Sequence, residues 1–205
     1  MPGADEFQDL GGGCYFWQAF SPAVKTDLTC AAFHAGRDWF FVDPIPLAPP
    51  ALDELAGRDV GDGAVLLTNG NHERAAAAFR DRFRVPVIGH ADTAPEITIA
   101  LDRVVGDGDI LFGQFEVIAL PGAAAGEVAY LHAATGTLCV GDALIHLDPL
   151  GFAPLPAKYC RAARDLRAAL PHLLDFAFDQ ITFAHGTPIL SNAHARLASL
   201  IDSLS

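Results

Sequence analysis

Side chains able to bind protons or cations gather in short segments, each placed directly after an apolar run. Ala64–Leu67 leads into Thr68-Asn69-Gly70-Asn71-His72-Glu73-Arg74, Thr137–Val140 into Gly141-Asp142, and Phe178–Ala184 into His185-Gly186-Thr187-Pro188. Imidazoles and carboxylates serve as proton carriers and as metal ligands. A guanidinium is permanently cationic and has no lone pair to give. Asn69 and Asn71 are common turn and cap residues. If Asn71 caps the following helix, Arg74 sits in its first turn, where a positive charge opposes the helix dipole by about 0.3–1 kcal/mol. Arg74 then needs an acidic partner, and Asp142 and Glu73 are the candidates. The plainer reading is a solvated helix-surface arginine. His185 is read as a pocket residue, against a hydrogen-bonded structural histidine.

Other chemistries find no support. The chain has no Gly-x-Ser-x-Gly elbow, no P-loop and no Gly-x-Gly-x-x-Gly. The turn Gly106-Asp107-Gly108-Asp109 lacks the bidentate Glu of a calcium loop. Cys14, Cys30, Cys139 and Cys160 are far apart with no Cys-x-x-Cys pair, so buried reduced thiols are expected.

The elements that position these groups follow from apolar runs and their punctuation. Cys14–Phe20, Leu28–His34 and Trp39–Val42 read as strands, the last two joined as a hairpin through Ala35-Gly36-Arg37-Asp38. Ala51–Ala56 reads as a short helix, Ala64–Leu67 as a buried strand, His72–Phe83 as a helix and Val85–Ile88 as a strand. From about residue 97, Gln114–Leu120, Glu127–His132 and Thr137–Val140 read as a glycine-punctuated antiparallel meander. Ala157–Ala169 and Asn192–Leu204 read as helices, with Phe178–Ala184 as a strand between them. Residues 1–13 read as a loose lead-in. The aromatic residues Tyr15, Phe16, Trp17 and Phe20 are expected in a core rather than at a dimer edge.

The chain has 205 residues, 51% hydrophobic and 19% charged, enough to bury a sizeable core as one domain spanning 1–205. A net charge of −12 with no Lys/Arg-dominated stretch argues against nucleic-acid and anionic-membrane partners. No apolar stretch has the roughly 18–20 residues that span a bilayer. The acidic, glycine-rich N-terminus has no signal-peptide pattern, which gives a cytoplasmic expectation.

Taken in order, Asp43-Pro44, the Thr68–Arg74 loop, Leu120-Pro121-Gly122-Ala123, Gly141-Asp142 and Ala184-His185-Gly186 resemble the strand ends of the metallo-β-lactamase superfamily, which includes glyoxalase II. The resemblance covers residues 28–204. It implies an α/β (α+β) fold: a four-layer αββα sandwich of two facing mixed sheets with helices on the outer faces. The family places metal ligands in a His-x-His-x-Asp-His loop, in a His after Leu-Pro-Gly, in an Asp after Gly and in a last His. By position, Asn69 and Asn71 stand for the first two His, Glu73 for the Asp and Arg74 for the third His, with His72 an intervening residue. Ala123 replaces the His after Leu-Pro-Gly, while Asp142 and His185 match.

These substitutions set the functional expectation. Amide oxygens are weak ligands for zinc, alanine supplies none, and Arg74 would be repelled by a neighbouring dication. No metal pair and no other cofactor is expected, and Arg74 is expected to act as an internal counter-ion hydrogen-bonded to Asp142. The chain is then read as a member that has lost dinuclear hydrolysis and acts as a non-catalytic or small-molecule-binding protein. Its pocket candidates are Asn69, Asn71, His72, Glu73, Arg74, Asp142 and His185. Lys158 and Tyr159 are further pocket-lining candidates. The alternative is a thioester, ester or lactam hydrolase with zinc or another divalent metal at an altered site. There His72, His132 or His146 would join Asp142 and His185.

Overall fold

The strand runs Gln8–Gly11 (β1), Cys14–Ser21 (β2), Thr26–Ala35 (β3) and Asp38–Val42 (β4) pair antiparallel in sequence order. Gly63–Leu66 (β5), Val87–His90 (β6) and Arg103–Val105 (β7) extend the same sheet in parallel. Such parallel additions need crossovers. Pro49–Ala56 (α1) lies between β4 and β5, and Ala76–Phe83 (α2) between β5 and β6. This computed structural model describes residues 3–58 and 61–204.

The second sheet is built from Ile110–Leu111 (β8), Phe115–Ala119 (β9), Val128–His132 (β10) and Thr137–Val140 (β11). Leu144–Leu147 (β12) and Gly151–Pro154 (β13) form a separate ribbon, and Ala163–Ala169 (α3) follows. Gln180–Phe183 (β14) returns to pair parallel with β11, and Ala193–Ser203 (α4) closes the chain's described part. The sheet order is β14-β11-β10-β9-β8.

Side-chain alternation distributes the apolar residues over three layers of core. Along β4, Trp39 and Phe41 face outward onto Phe79 and Phe83 of α2 and Leu55 of α1, whereas Phe40 and Val42 face the other sheet. Tyr130, Val128, Phe115 and Val117 meet them from the second sheet. Outside that sheet, Leu131, Leu138, Val140 and Phe183 pack against Leu166 of α3 and Leu197 of α4. Strands apolar on both faces are what a sheet covered on both sides requires. The result is the expected αββα sandwich. Among the described residues no helix is long and apolar enough to cross a membrane.

Several local expectations change. The segment 1–13 is not a loose lead-in: Ala4 bridges to Leu47, and β1 pairs with β2; residues 1 and 2 lie outside the described residues. The helix expected from His72 begins only at Ala76. Before it, Gly70–His72 is a single 3-10 turn, and Arg74 has φ 40, which ends any continuous helix. The helix expected over Ala157–Ala169 is split into a 3-10 turn at Ala157–Tyr159 and α3. Tyr15, Phe16 and Trp17 are buried, but Phe20 is exposed.

Parallel pairing aligns the carboxyl ends of β4 with β5 and of β11 with β14. Bonds between the sheets bring the two sets of ends together. Thr29 of β3 donates through its N–H to Ala184 O and through its hydroxyl to Phe183 O. Val128 N–H donates to Thr68 O, and the Tyr130 hydroxyl to Leu67 O. The loops beginning at Asp43, Thr68, Gly141 and Ala184 therefore meet at one end of the sandwich.

Candidate functional site

Asp43 leaves β4 with φ 49 and is almost wholly buried. Its Oδ1 accepts from Thr68 N–H at 2.8 Å, and its Oδ2 accepts from the Thr68 hydroxyl at 2.5 Å. His72 Nδ1 also lies 2.9 Å from that Oδ2 and 2.9 Å from the Thr68 oxygen. An Nδ1–H donated to Asp43 fixes the ring and turns Nε2 inward. The 3-10 turn makes this possible: Asn69 caps it by accepting from Asn71 N–H at 2.8 Å, which rotates residue 72 toward the sheets.

Nε2 of His72 and Nε2 of His185 each lie 3.4 Å from the same Asp142 oxygen, Oδ1. Neither contact meets hydrogen-bond geometry, and His72 Nε2 and His185 Nδ1 are buried without a hydrogen-bond partner. The other Asp142 oxygen, Oδ2, accepts from Asn71 Nδ2 at 3.0 Å and from Asn69 Nδ2 at 3.3 Å. Asn69 Nδ2 also donates to Glu127 Oε2 at 2.6 Å, and Glu127 Oε1 accepts from Ala143 N–H at 2.8 Å. Gly141 makes the approach possible: a Cβ there would collide with the Thr68 hydroxyl and stand 2.8 Å from Glu127 Oε1.

Burial and Arg74 both pull the His72 pKa down, yet the flanking Asp142 and Asp43 carboxylates outweigh them and push it up to about 9. Burial opposes the Asp142 charge too, but the neighbouring imidazoles hold that carboxyl well below the usual range. His185 is shifted the other way, chiefly by burial. Burial and then the Asp142 charge drive the Glu127 carboxyl well above the ordinary value. The environment thus pushes the two carboxyls in opposite directions, Asp142 toward the anion and Glu127 toward the protonated acid.

Of the expected pocket residues, Asn69, Asn71, His72, Asp142 and His185 come together. Glu73 does not: its carboxylate accepts from Thr98 N–H at 2.6 Å and the Thr98 hydroxyl at 2.5 Å near the surface. The expected Arg74–Asp142 hydrogen bond is absent among the described residues. Arg74 instead donates to carbonyls, NH1 to Thr29 at 2.8 Å and Asp43 at 3.2 Å, and NH2 to Ala184 at 3.1 Å. It joins β3, β4 and the end of β14 from beneath the cluster. His72, placed by the motif as an intervening residue, is central. His132 is tied to Thr135 and packed between Phe33 and Phe115, and His146 bonds Thr187 O, so neither joins the cluster. Lys158 and Tyr159 are exposed and stack on each other.

Sequence reasoning missed Asp43 and Glu127. Their signal was present: each is a carboxylate abutting a largely apolar run, residues 39–42 and 128–131, where burial requires partners.

The donor chemistry bears on the metal pair of the fold. His72, Asp142 and His185 each offer one ligand atom, and these atoms lie within 4.8 Å of one another. One ion fits that set. A second does not: the Asn69 and Asn71 amides present N–H groups to Asp142, and Ala123 packs in the outer core with Leu120 and Leu166.

A family model described as the metallo-beta-lactamase superfamily matches residues 11–204. A hydroxyacylglutathione hydrolase from Halorhodospira halophila (strain DSM 244 / SL1) is 40% identical over 88 residues, covering 40% of this chain and 32% of that protein. The match thus spans about a third of the relative's length. Among solved structures, the DIM-1 metallo-beta-lactamase superposes with TM-score 0.76 at 14% identity, covering 100% of this chain and 99% of the other. A metallo-beta-lactamase family protein from Thermus thermophilus gives TM-score 0.69 at 20% identity over 96% and 80%. At these identities the structural likeness concerns the fold.

Proposed function

We propose that this chain, which belongs to the metallo-beta-lactamase superfamily, has given up dinuclear metal hydrolysis and uses the strand-end cleft to bind a small molecule without turning it over. One observation carries the reading. The amides of Asn69 and Asn71 both point N–H donors at Asp142 Oδ2, so an oxygen that a second ion would need is already used. A dinuclear hydrolase needs two ions to clamp the attacking and leaving atoms. At the rim Asn71 is exposed and His185 is part-exposed, which puts polar groups already oriented by their neighbours where a ligand can meet them.

A second reading is a thioester, ester or lactam hydrolase working with a single ion. The convergence of His72, Asp142 and His185 favours it, as does the partial likeness to a hydroxyacylglutathione hydrolase. The two readings separate in a turnover assay on the full chain loaded with zinc or iron(II). The substrates are a hydroxyacylglutathione thioester, an aryl ester and a chromogenic β-lactam. The proposal expects hydrolysis no faster than with His185→Ala. Hydrolysis that is well above this control, and lost on Asp142→Asn, would replace it with the hydrolase reading.

A further inference from the structure

The loss of a metal pair leaves a set of groups that loss alone does not account for. His72 is almost wholly buried, yet its Nε2 has no hydrogen-bond partner. An imidazole nitrogen buried without a hydrogen bond, its carboxylate neighbour Asp142 Oδ1 3.4 Å away, carries a desolvation cost, and such exceptions ask for a cause. Nδ1 is held by Asp43 at 2.9 Å, the carboxylate–histidine arrangement that sets the tautomer and aims the other nitrogen at a metal. Asp142 is divided in the same manner: amides engage Oδ2, while Oδ1 is left facing the two imidazoles.

The spacing agrees. Donors at about 2.0–2.1 Å from a tetrahedral ion are separated from one another by about 3.3–3.4 Å. Both Nε2···Oδ1 separations here are 3.4 Å.

We infer that the cleft holds one divalent transition-metal ion of the zinc type between His72, Asp142 and His185. His72 supplies the ligand that the substituted loop positions 69, 71 and 74 do not, and Asp43 is its positioning residue. Two imidazoles and one carboxylate select zinc, cobalt or iron(II) over magnesium and calcium, which prefer all-oxygen sites. The inference extends the preceding reading by giving the ligand-binding cleft one ion in place of two.

The test is titration of the metal-stripped full chain with Zn²⁺ by calorimetry. It is paired with Co²⁺ absorption as a report of low-coordinate nitrogen and oxygen ligation. The expected result is one equivalent bound. His72→Ala and His185→Ala should each weaken binding by at least about 100-fold, and Asp43→Asn by roughly 10–100-fold. Circular dichroism identifies any variant that fails to fold. His185, the least buried of the ligands, keeps the test informative if His72→Ala is such a variant. No binding, two equivalents, or one equivalent unaffected by His185→Ala and by a folded His72 variant would overturn the inference. No binding would leave the proposed loss of hydrolysis standing, whereas two equivalents with turnover would remove both.

Discussion

Arg74 illustrates how a single substitution is absorbed. Its guanidinium caps carbonyls of Thr29, Asp43 and Ala184, which belong to both sheets. Hydrogen bonds to charged groups contribute about 1.5–3 kcal/mol each and do not add fully, so Arg74→Ala should destabilise by about 3 kcal/mol in urea unfolding. Arg74→Lys should recover less than half, because a point charge cannot reach carbonyls spread around a planar fork. A loss below about 0.5 kcal/mol would show that the fork is solvated. At this scale the sequence singled out Asp142 and His185, which the structure places side by side, because each is a polar residue at an abrupt strand end. The motif alignment set His72 aside as an intervening residue, although it stood among the pocket candidates, since a motif read position by position assumes one backbone path. The 3-10 turn and the left-handed Arg74 give this loop another path. Asp43 and Glu127 went unread as site residues because their role lies in holding other side chains.

At the scale of elements, apolar alternation made the two sheets and the outer helices legible, including the Gly-containing hairpin between β3 and β4. Helix boundaries were less so. The alanine-rich stretch after Glu73 has high helix propensity, but Ala76 is where the chain first clears the constraints of the site loop. Phe79 anchors that shortened helix. It stacks on Trp17 at 5.9 Å and meets Phe41 edge-on at 4.8 Å, with 2% of its surface exposed. Phe79→Ala should cost about 3–5 kcal/mol, read as a lowered urea midpoint with unchanged slope. A cost under about 1 kcal/mol would mean that α2 does not hold the outer layer. Because α2 follows directly on the site loop, metal affinity measured in the same variant reports whether the helix also positions His72.

For the whole molecule, the three-layer core has a direct chemical signature in its thiols. Cys14, Cys30 and Cys139 are buried, and burial pushes each thiol up, that of Cys14 to about 12. The thiolate is the reactive form, so a raised pKa keeps these groups inert at pH 8. Iodoacetate at pH 8 should label the part-buried Cys160 first in the native protein, and the other three only in denaturant. Rapid native labelling of Cys139 would contradict the close meeting of the two sheets. That meeting brings together residues as far apart in the chain as Asp43 and His185.

The most direct measurement of the central claim is an anomalous difference map from crystals of the full chain grown with Zn²⁺. The account predicts one strong peak, enclosed by His72, Asp142 and His185, with the Asn69 and Asn71 amides still directed at Asp142. A pair of peaks, the second beside Asn69, Asn71 and Ala123, would contradict it, as would a map with no peak between the two histidines.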